Sequence, residues 1–440
     1  MWLCFARLSE GLRKDAIVSK LTAPNSFRSS SLPDLRSRIA LVFVVLTVLA
    51  GCDRSKSESP PPSRYLYVWA GTGHDSTTGP TMVTVLDANP ASKTYGSVIA
   101  AQTVDSSGLM PHHTEFVLPA KGPLFANDFN GDKSFMIDFS DPEHPRSAGQ
   151  IARVPGGRKL HSFARLANGN VLATVQFGDS TVAGDPGSLA EFDSQGRLVR
   201  HGSSSDPAFP GAHIRTYALA VVPAIDRVVT TSSPMDPIER TADVVQVWRL
   251  SDLKLLKTLP VPEVAGDSSH RYPFEVRALN DGSVLVNSYF CGFFHLTNLD
   301  TNPQITRVLA LPKPANIGCS VPHVAGRFWV MPIAYAHRFA TIDISDPAHP
   351  KEVASFQTDS TFFPHWISSD PRSDRVVFTD QGDGPPMVMV AHLDKTTGHL
   401  SWDEAFRDAG ATKPGVSYKR ASWPNGVKGM AMPHGALFVP

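Results

Sequence analysis

Four short apolar runs follow one another between residues 158 and 200, and a polar turn separates each run from the next. The turns are Asn-Gly, Gly-Asp and Ser-Gln-Gly steps, which commonly reverse an antiparallel strand pair. Short runs bounded by such turns predict β-strands. The segment is therefore predicted to be a four-stranded antiparallel meander, which is the unit of one β-propeller blade.

The same pattern recurs farther along the chain, at 217–231 and at 274–287. A unit of this kind cannot bury both of its faces alone, whereas copies arranged in a closed ring bury them against one another. We therefore predict an all-β fold, a seven-bladed β-propeller over residues 64–440. Seven blades in this length give about 54 residues per blade, above the ~40–45 of minimal repeats, so longer loops are expected.

The two ends of the propeller are predicted to meet in one blade. Apolar runs at 65–70, 81–87 and 96–104 supply three strands, and the C-terminal residues up to 439 can supply the missing first one. Closure by strands from both ends removes exposed sheet edges. Residues 395–424 fit no strand pattern, and we predict a long excursion between blades that Trp402 and Trp423 anchor.

An apolar stretch at 39–51 follows a positive flank at Arg36 and Arg38. It is shorter than the ~20 residues of a spanning helix and suits the core of a signal peptide. Its end, Leu49-Ala-Gly-Cys52, resembles the bacterial lipoprotein cleavage box, in which the cysteine receives the lipid. We therefore expect a leader and signal peptide over 1–51, a flexible proline-rich tether over 52–63, and a periplasmic, membrane-anchored lipoprotein. A buried helix is the alternative for the apolar stretch.

Charge and cysteine usage narrow the function further. The chain has 41 Lys+Arg and 41 Asp+Glu, so its formal charge is zero and we expect no nucleic-acid partner. Cleavage would remove Cys4 and lipidate Cys52, which leaves Cys291 and Cys319 in an oxidising compartment. These two residues form either a disulfide between adjacent blades or, at Cys319, a free thiolate.

Candidate chemistry comes from the first strand of each blade, because these strands line the central channel. They are predicted to begin near His113, His161, Tyr217, Phe274, Cys319 and His365. In this register His113, His161, Cys319 and His365 share one phase, with His112 and Glu275 one position away from it. Imidazole, thiolate and carboxylate groups meeting at one mouth can bind copper, zinc or iron.

The structural alternative for any one of these histidines is a hydrogen-bonded core residue. His323 and His434 fall nearer the turn that leaves the first strand, and the prediction leaves them out of the site. His144 and His349 belong to Asp-Pro turns and are predicted to be exposed. The sequence contains no Gly-x-Ser-x-Gly elbow, phosphate loop, dinucleotide fingerprint or paired Cys-x-x-Cys motif.

Several short phrases of the chain, in order, resemble the selenium-binding protein family, whose members include methanethiol oxidases. The more specific phrases are His112-His113, Pro273-Phe-Glu-Val-Arg277 and Asp343-Ile-Ser-Asp-Pro347. The resemblance implies a seven-bladed propeller and, for oxidase members, copper-dependent conversion of methanethiol to formaldehyde, hydrogen sulfide and hydrogen peroxide. The family's cysteine shortly after the double histidine is missing, because Thr114–Leu118 stands there, and Ala164 replaces a second histidine.

The leading hypothesis is a lipid-anchored propeller that holds copper through His113, His161 and His365, with His112, Glu275 and Cys319 in or near the shell. As an oxidase it would bind a small thiol, and Glu275 would relay protons. The rival hypothesis is a non-catalytic scaffold that presents one face to a protein partner or small ligand, which a Cys291–Cys319 disulfide would favour. A hydrolase that uses zinc-bound water is a third option without a distinctive motif.

Overall fold

The computed structural model describes residues 60–73, 77–178, 185–235, 241–312, 318–380 and 384–439. These residues form seven antiparallel sheets arranged as the blades of a β-propeller, so the predicted fold is confirmed. Within this part of the chain there is no helix long and apolar enough to cross a bilayer. The predicted signal peptide, Cys52 and most of the predicted tether lie outside the described residues.

The first three blades contain strands β1 to β11 and the last strand of the chain. Blade 1 is formed by β1 (Tyr65–Gly71), β2 (Gly79–Asp87), β3 (Val98–Gly108) and β29 (Met432–Val439). Blade 2 is formed by β4 (Pro111–Thr114), β5 (Leu124–Asp128), β6 (Lys133–Asp138) and β7 (Arg146–Gln150). Blade 3 is formed by β8 (Arg158–Arg165), β9 (Val171–Phe177), β10 (Ser188–Phe192) and β11 (Leu198–Ser203), as the predicted meander requires.

The other four blades follow in chain order. Blade 4 is formed by β12 (Thr216–Val222), β13 (Arg227–Ser232), β14 (Val244–Arg249) and β15 (Lys254–Pro260). Blade 5 is formed by β16 (Pro273–Ala278), β17 (Val284–Ser288), β18 (Gly292–Thr297) and β19 (Gln304–Ala310). Blade 6 is formed by β20 (His323–Ala325), β21 (Phe328–Ile333), β22 (Arg338–Asp343) and β23 (Lys351–Gln357). Blade 7 is formed by β24 (Pro364–Ser369), β25 (Arg375–Asp380), β26 (Met387–Leu393), β27 (Leu400–Trp402) and β28 (Val416–Ser417).

Short 3-10 turns join some of the strands. They lie at Pro223–Ile225, Ser268–His270 and Ala334–Ala336. The prediction of ring closure is confirmed, because the C-terminal β29 pairs with β1 as the innermost strand of blade 1. The prediction for 395–424 is wrong in part, because β27 and β28 in this segment both pair with the outer edge of β26 and belong to blade 7. Trp423 is 4% exposed and packs into the core between blades 7 and 1.

The innermost strands of blades 1 to 5 and of blade 7 carry a β-bulge near their start. In blade 2, Pro111 pairs with Asp128 and Thr114 pairs with Ala126, so His112 and His113 together oppose Asn127. Such a bulge re-aims side chains, and here it turns two successive residues toward the axis. The bulge residues of the other blades in which the strand register defines them are His161-Ser162, Tyr217-Ala218, Phe274-Glu275, His365-Trp366 and His434-Gly435.

The residue that opposes the bulge links neighbouring blades. Thr174 Oγ1 donates to the carbonyl of Tyr217 at 2.7 Å, and Thr231 Oγ1 donates to the carbonyl of Phe274 at 2.7 Å. Thr379 Oγ1 donates to the carbonyl of His434 at 2.8 Å. Each of these carbonyls belongs to the first bulge residue of the next blade. Asn127 Nδ2 likewise donates to the carbonyls of Leu160 at 2.5 Å and His161 at 3.3 Å in blade 3. We call Asn127, Thr174, Thr231 and Thr379 the hub latch residues.

Asn127, Thr174 and Thr231 also accept a hydrogen bond from the bulge of their own blade. The backbone N–H of Ser162 donates to Thr174 Oγ1 at 3.0 Å, and the N–H of Ala218 donates to Thr231 Oγ1 at 3.1 Å. A bulge breaks the regular ladder, and a buried backbone group without a partner would cost roughly 1–3 kcal/mol. Asn127, Thr174 and Thr231 supply that partner, and their bonds to the next blade fix the bulges of blades 2, 3 and 4 relative to it.

Replacing one latch hydroxyl should therefore destabilise the ring. Thr231→Val keeps the shape of the side chain but leaves the Ala218 N–H and the Phe274 carbonyl without this partner. We expect the free energy of unfolding to fall by about 1–3 kcal/mol in urea denaturation. Thr306→Val, on an exposed face of the outer strand β19, is the control and should change it little. An equal effect of both substitutions would contradict the role of the latch.

Candidate metal centre

Five histidines from four consecutive blades converge at the hub. His434, His112, His161 and His365 occupy the first bulge position of blades 1, 2, 3 and 7, and His113 occupies the second position of blade 2. The ring centroids of His112 and His434 are 4.1 Å apart, those of His113 and His161 are 4.3 Å apart, and those of His365 and His434 are 4.7 Å apart. Residues far apart in sequence therefore form one imidazole cluster.

The observed register differs by one position from the predicted one. His112, predicted to lie outside the phase of His161 and His365, shares their bulge position, and His113 shares the second position with Glu275. The predicted and observed registers both bring His112 and His113 to the cluster, because the bulge in blade 2 turns both residues toward the axis. All four histidines predicted as ligands thus lie together.

The prediction omitted His434, which the structure places in the cluster with 1% exposure. The signal was present, because the closing C-terminal strand must supply the first strand of blade 1 and His434 lies near its start. His323 instead begins the short strand β20 and is absent from the clusters described below. His144 and His349 have side chains 75% and 76% exposed in Asp-Pro turns, as predicted.

The five histidines form two groups of potential ligand atoms that share His113. One group is His112, His113 and His161, and the other is His113, His365 and His434. Within each group the ligand atoms lie within 4.8 Å of one another. His112 Nε2 and His161 Nε2 are 3.1 Å apart. This is a hydrogen-bond distance, and two nitrogens bound tetrahedrally to one ion at ~2.0–2.1 Å would lie ~3.3 Å apart, so the pair needs little movement to bind one ion together.

Hydrogen bonds at Nδ1 orient three of the imidazoles. His161 Nδ1 lies 2.9 Å from the carbonyl of Tyr217, so this nitrogen carries the proton and Nε2 keeps its lone pair. His113 Nδ1 lies 3.1 Å from Ser162 Oγ, and His365 Nδ1 lies 2.6 Å from Ser320 Oγ. Contacts of this kind commonly orient the histidine ligands of metals.

Several buried ring nitrogens have no hydrogen-bond partner among the described residues. They are His112 Nδ1, His113 Nε2, His365 Nε2 and both ring nitrogens of His434. Buried polar atoms are normally paired, and these nitrogens converge on one small volume. Neutral imidazoles suit copper, zinc, iron and nickel, so the donor set fits a transition-metal ion.

The protonation of the cluster also suits a metal. Burial lowers the pKa of His161 to about 3, against about 6.5 for a free side chain. Burial, followed by the neighbouring imidazoles, holds the pKa of His112 and His113 well below the usual value. Burial does the same for His434. The histidines are therefore neutral at pH 7, which is the form that coordinates metals.

Cys319 does not join the cluster as a thiolate. It forms a disulfide with Cys291, and both residues are fully buried. The disulfide joins the turn between β17 and β18 in blade 5 to the segment that enters blade 6. The expectation of Cys319 as a free metal-binding or catalytic thiolate is therefore wrong for this structure, and the alternative expectation of a disulfide between adjacent blades is confirmed.

Glu275 occupies the second bulge position of blade 5 but belongs to neither histidine group. Its side chain is fully buried, and Oε2 accepts a hydrogen bond from Arg277 Nη1 at 2.7 Å. Its other oxygen, Oε1, has no partner among the described residues. Burial raises the pKa of Glu275, although Arg277 opposes that shift.

Aromatic side chains surround the histidines. Tyr217, in the first bulge position of blade 4, has its ring centroid 4.0 Å from that of His161. Phe274, in the same position of blade 5, lies 4.3 Å from Tyr217. The ring centroids of Phe129 and His112 are 5.8 Å apart. The hub therefore has histidines on the side of blades 7, 1, 2 and 3 and an aromatic wall on the side of blades 4 and 5.

Comparisons with known proteins agree with this description. No family model matches the chain. A methanethiol oxidase from Hyphomicrobium sp is 27% identical over 361 residues, which cover 76% of this chain and 77% of that protein. The solved structure of a hypothetical selenium-binding protein from Sulfolobus tokodaii has a TM-score of 0.68 at 14% identity, covering 86% of this chain and 93% of the other.

The propeller itself is shared more widely. A periplasmic gluconolactonase from Pseudomonas aeruginosa has a TM-score of 0.58 at 15% identity and covers 86% of this chain and 99% of its own. At such identities a structural match reports the fold alone. The sequence match and the shared propeller together show that the chain is related to the selenium-binding protein and methanethiol oxidase family.

Proposed function

We propose that the protein is a copper-dependent oxidase of a small thiol such as methanethiol. The observation that carries the proposal is the convergence of five neutral histidines at the hub, four of which have unpartnered ring nitrogens among the described residues. The related methanethiol oxidase supplies the reaction class. The balanced reaction consumes methanethiol, oxygen and water and yields formaldehyde, hydrogen sulfide and hydrogen peroxide.

One ion per chain is the occupancy that the charges favour. The two histidine groups share His113, whose Nδ1 contacts Ser162 and whose Nε2 alone remains for a metal. Neither group contains a carboxylate or thiolate. Two divalent ions about 5 Å apart would repel each other by roughly 13 kcal/mol at an effective dielectric constant of ~20. Imidazoles that do not bind the ion remain available as proton acceptors.

The residues around the cluster have distinct proposed roles. A bound copper would supply a site for the sulfur and a route for electrons to oxygen. Tyr217 and Phe274 form an apolar wall beside His161, which suits the methyl group of the substrate. Glu275 would exchange protons with the site, because its Oε1 has no partner among the described residues and burial raises its pKa.

The location is also part of the proposal. The apolar stretch at 39–51 and the box that ends at Cys52 support a lipoprotein anchored in a membrane and exposed to the periplasm. A disulfide between Cys291 and Cys319 agrees with an oxidising compartment.

Labelling with a radioactive fatty acid tests the anchor. We expect the wild-type protein to incorporate the label, and Cys52→Ala to lose it and leave the membrane fraction. Cys4→Ala, at the cysteine upstream of the predicted cleavage site, is the matched control and should keep the label. Labelling that survives Cys52→Ala would contradict the anchor.

A non-catalytic scaffold is the second candidate function. It is favoured by the disulfide, which removes the sulfur of Cys319 from thiol chemistry. In this case the propeller would present one face to a protein or small ligand. Purified protein that binds copper but forms no peroxide from thiols would support the scaffold over the oxidase.

Elemental analysis combined with a turnover assay tests the oxidase. We expect about one copper per wild-type chain, with peroxide and sulfide released from methanethiol. His113→Gln should lose nearly all bound copper because His113 belongs to both histidine groups. His349→Gln, on an exposed turn, is the matched control. Glu275→Gln should keep the copper and lower turnover about 100-fold or more. Wild-type protein without copper would contradict the proposal.

Acid should unfold the metal-free protein through the hub histidines. Their pKa values are lower in the folded state, so their stabilising effect is complete above pH ~6.5 and is lost as the pH falls toward 3. Each contributes about 1.4 kcal/mol per pH unit within that window. Urea denaturation between pH 6 and pH 4 should show a shallower pH slope for His161→Gln. The same slope in wild type, His161→Gln and the control His349→Gln would contradict this assignment.

A further inference from the structure

The contact between Ser320 and His365 is made by a segment that forms no regular strand. Residues 318–322 precede the short β20, and Ser320 Oγ lies 2.6 Å from His365 Nδ1 across the junction between blades 6 and 7. His365 Nε2, on the opposite edge of the ring, is a buried nitrogen without a partner among the described residues. If Nδ1–H donates to Ser320 Oγ, Nε2 presents its lone pair to the cluster.

The hub latch is longer where the chain enters this segment than it is in blades 3, 4 and 7. Thr174, Thr231 and Thr379 make latch hydrogen bonds of 2.7–2.8 Å. In blade 5 the equivalent residue is Asn287, whose Nδ2 lies 3.4 Å from the carbonyl of Cys319 and whose Oδ1 has no partner among the described residues. A contact of 3.4 Å is at the limit of a hydrogen bond. The latch alone therefore holds this junction loosely.

The disulfide lies at this same junction. Cys319 immediately precedes Ser320, and its partner Cys291 belongs to blade 5, with their Cα atoms 5.3 Å apart. Backbone hydrogen bonds from Cys319 N to Tyr289 O at 2.9 Å and from Ser320 N to Pro332 O at 3.0 Å extend the same anchor. The covalent bond thus lies at the place where blades 3, 4 and 7 have a short latch hydrogen bond.

We infer that Ser320, held in place by the Cys291–Cys319 disulfide, is a positioning residue that orients His365 toward the metal. The inference rests on the proposed copper centre. It gives the disulfide a role in the site, in place of the thiolate chemistry expected of Cys319. Loss of such an outer-sphere partner typically weakens metal binding by 10–100-fold.

Copper affinity and pulsed EPR of the full-length protein test this inference. We expect Ser320→Ala to weaken Cu(II) binding by about 10–100-fold in a chelator competition. The electron spin-echo modulation from the remote Nδ1 of one imidazole should also change, because that nitrogen loses its hydrogen-bond partner. Ser320→Thr, which keeps the hydroxyl, should restore both readouts. Cys291→Ser with Cys319→Ser should weaken binding in the same direction.

Ser204→Ala is the matched control, because Ser204 is fully buried and its hydroxyl contacts two backbone carbonyls between blades 3 and 4. It should lower thermal stability and leave the copper affinity and the spin-echo signal unchanged. Unaltered copper binding in both Ser320→Ala and the double cysteine variant would overturn the inference while the copper centre stands. Wild-type protein that binds no copper would overturn both.

Discussion

The hub depends on one repeated interaction, made by a buried side chain that lies opposite a β-bulge. This side chain accepts a hydrogen bond from a backbone N–H of the bulge in its own blade and donates one to a backbone carbonyl of the next blade. Thr174 and Thr231 show it most clearly. The bulge turns two residues toward the axis, and the hydrogen bonds satisfy backbone groups that the bulge would otherwise leave unpaired. The same interaction orients His161, because the carbonyl of Tyr217 accepts from both Thr174 Oγ1 and His161 Nδ1. Blade closure and ligand geometry are therefore coupled.

The hub concentrates imidazoles without compensating acids. Burial keeps the histidines neutral, so the cluster carries no negative charge to attract a cation. A cation is stabilised there only if it exchanges its bound water for the unpartnered imidazole nitrogens. This favours a metal with a strong preference for nitrogen, such as copper, over calcium or magnesium. Glu275, separate from both histidine groups and paired with Arg277, can then exchange protons without occupying the metal's ligand positions.

Most of the fold could be predicted from the sequence, because turn residues and apolar runs recur in every blade. Ring closure could be predicted because the apolar runs that begin at Tyr65 supply only three strands of a four-stranded blade. The site was predicted only in part. His112, His113, His161 and His365 were identified, but the bulge shifts the register by one residue and a regular strand pattern cannot show it. His434 was omitted because it was assigned to the turn that leaves the first strand, whereas it lies near the start of β29. The pairing of Cys319 stayed open because spacing alone does not distinguish a disulfide from a thiolate.

Anomalous X-ray diffraction at the copper edge, from crystals of copper-loaded protein, tests the central claim most directly. The account predicts one strong peak at the hub, ~2.0–2.1 Å from Nε2 of His113 and of at least two other histidines in the cluster. A hub without an anomalous peak, or copper bound only at surface histidines such as His349, would contradict it.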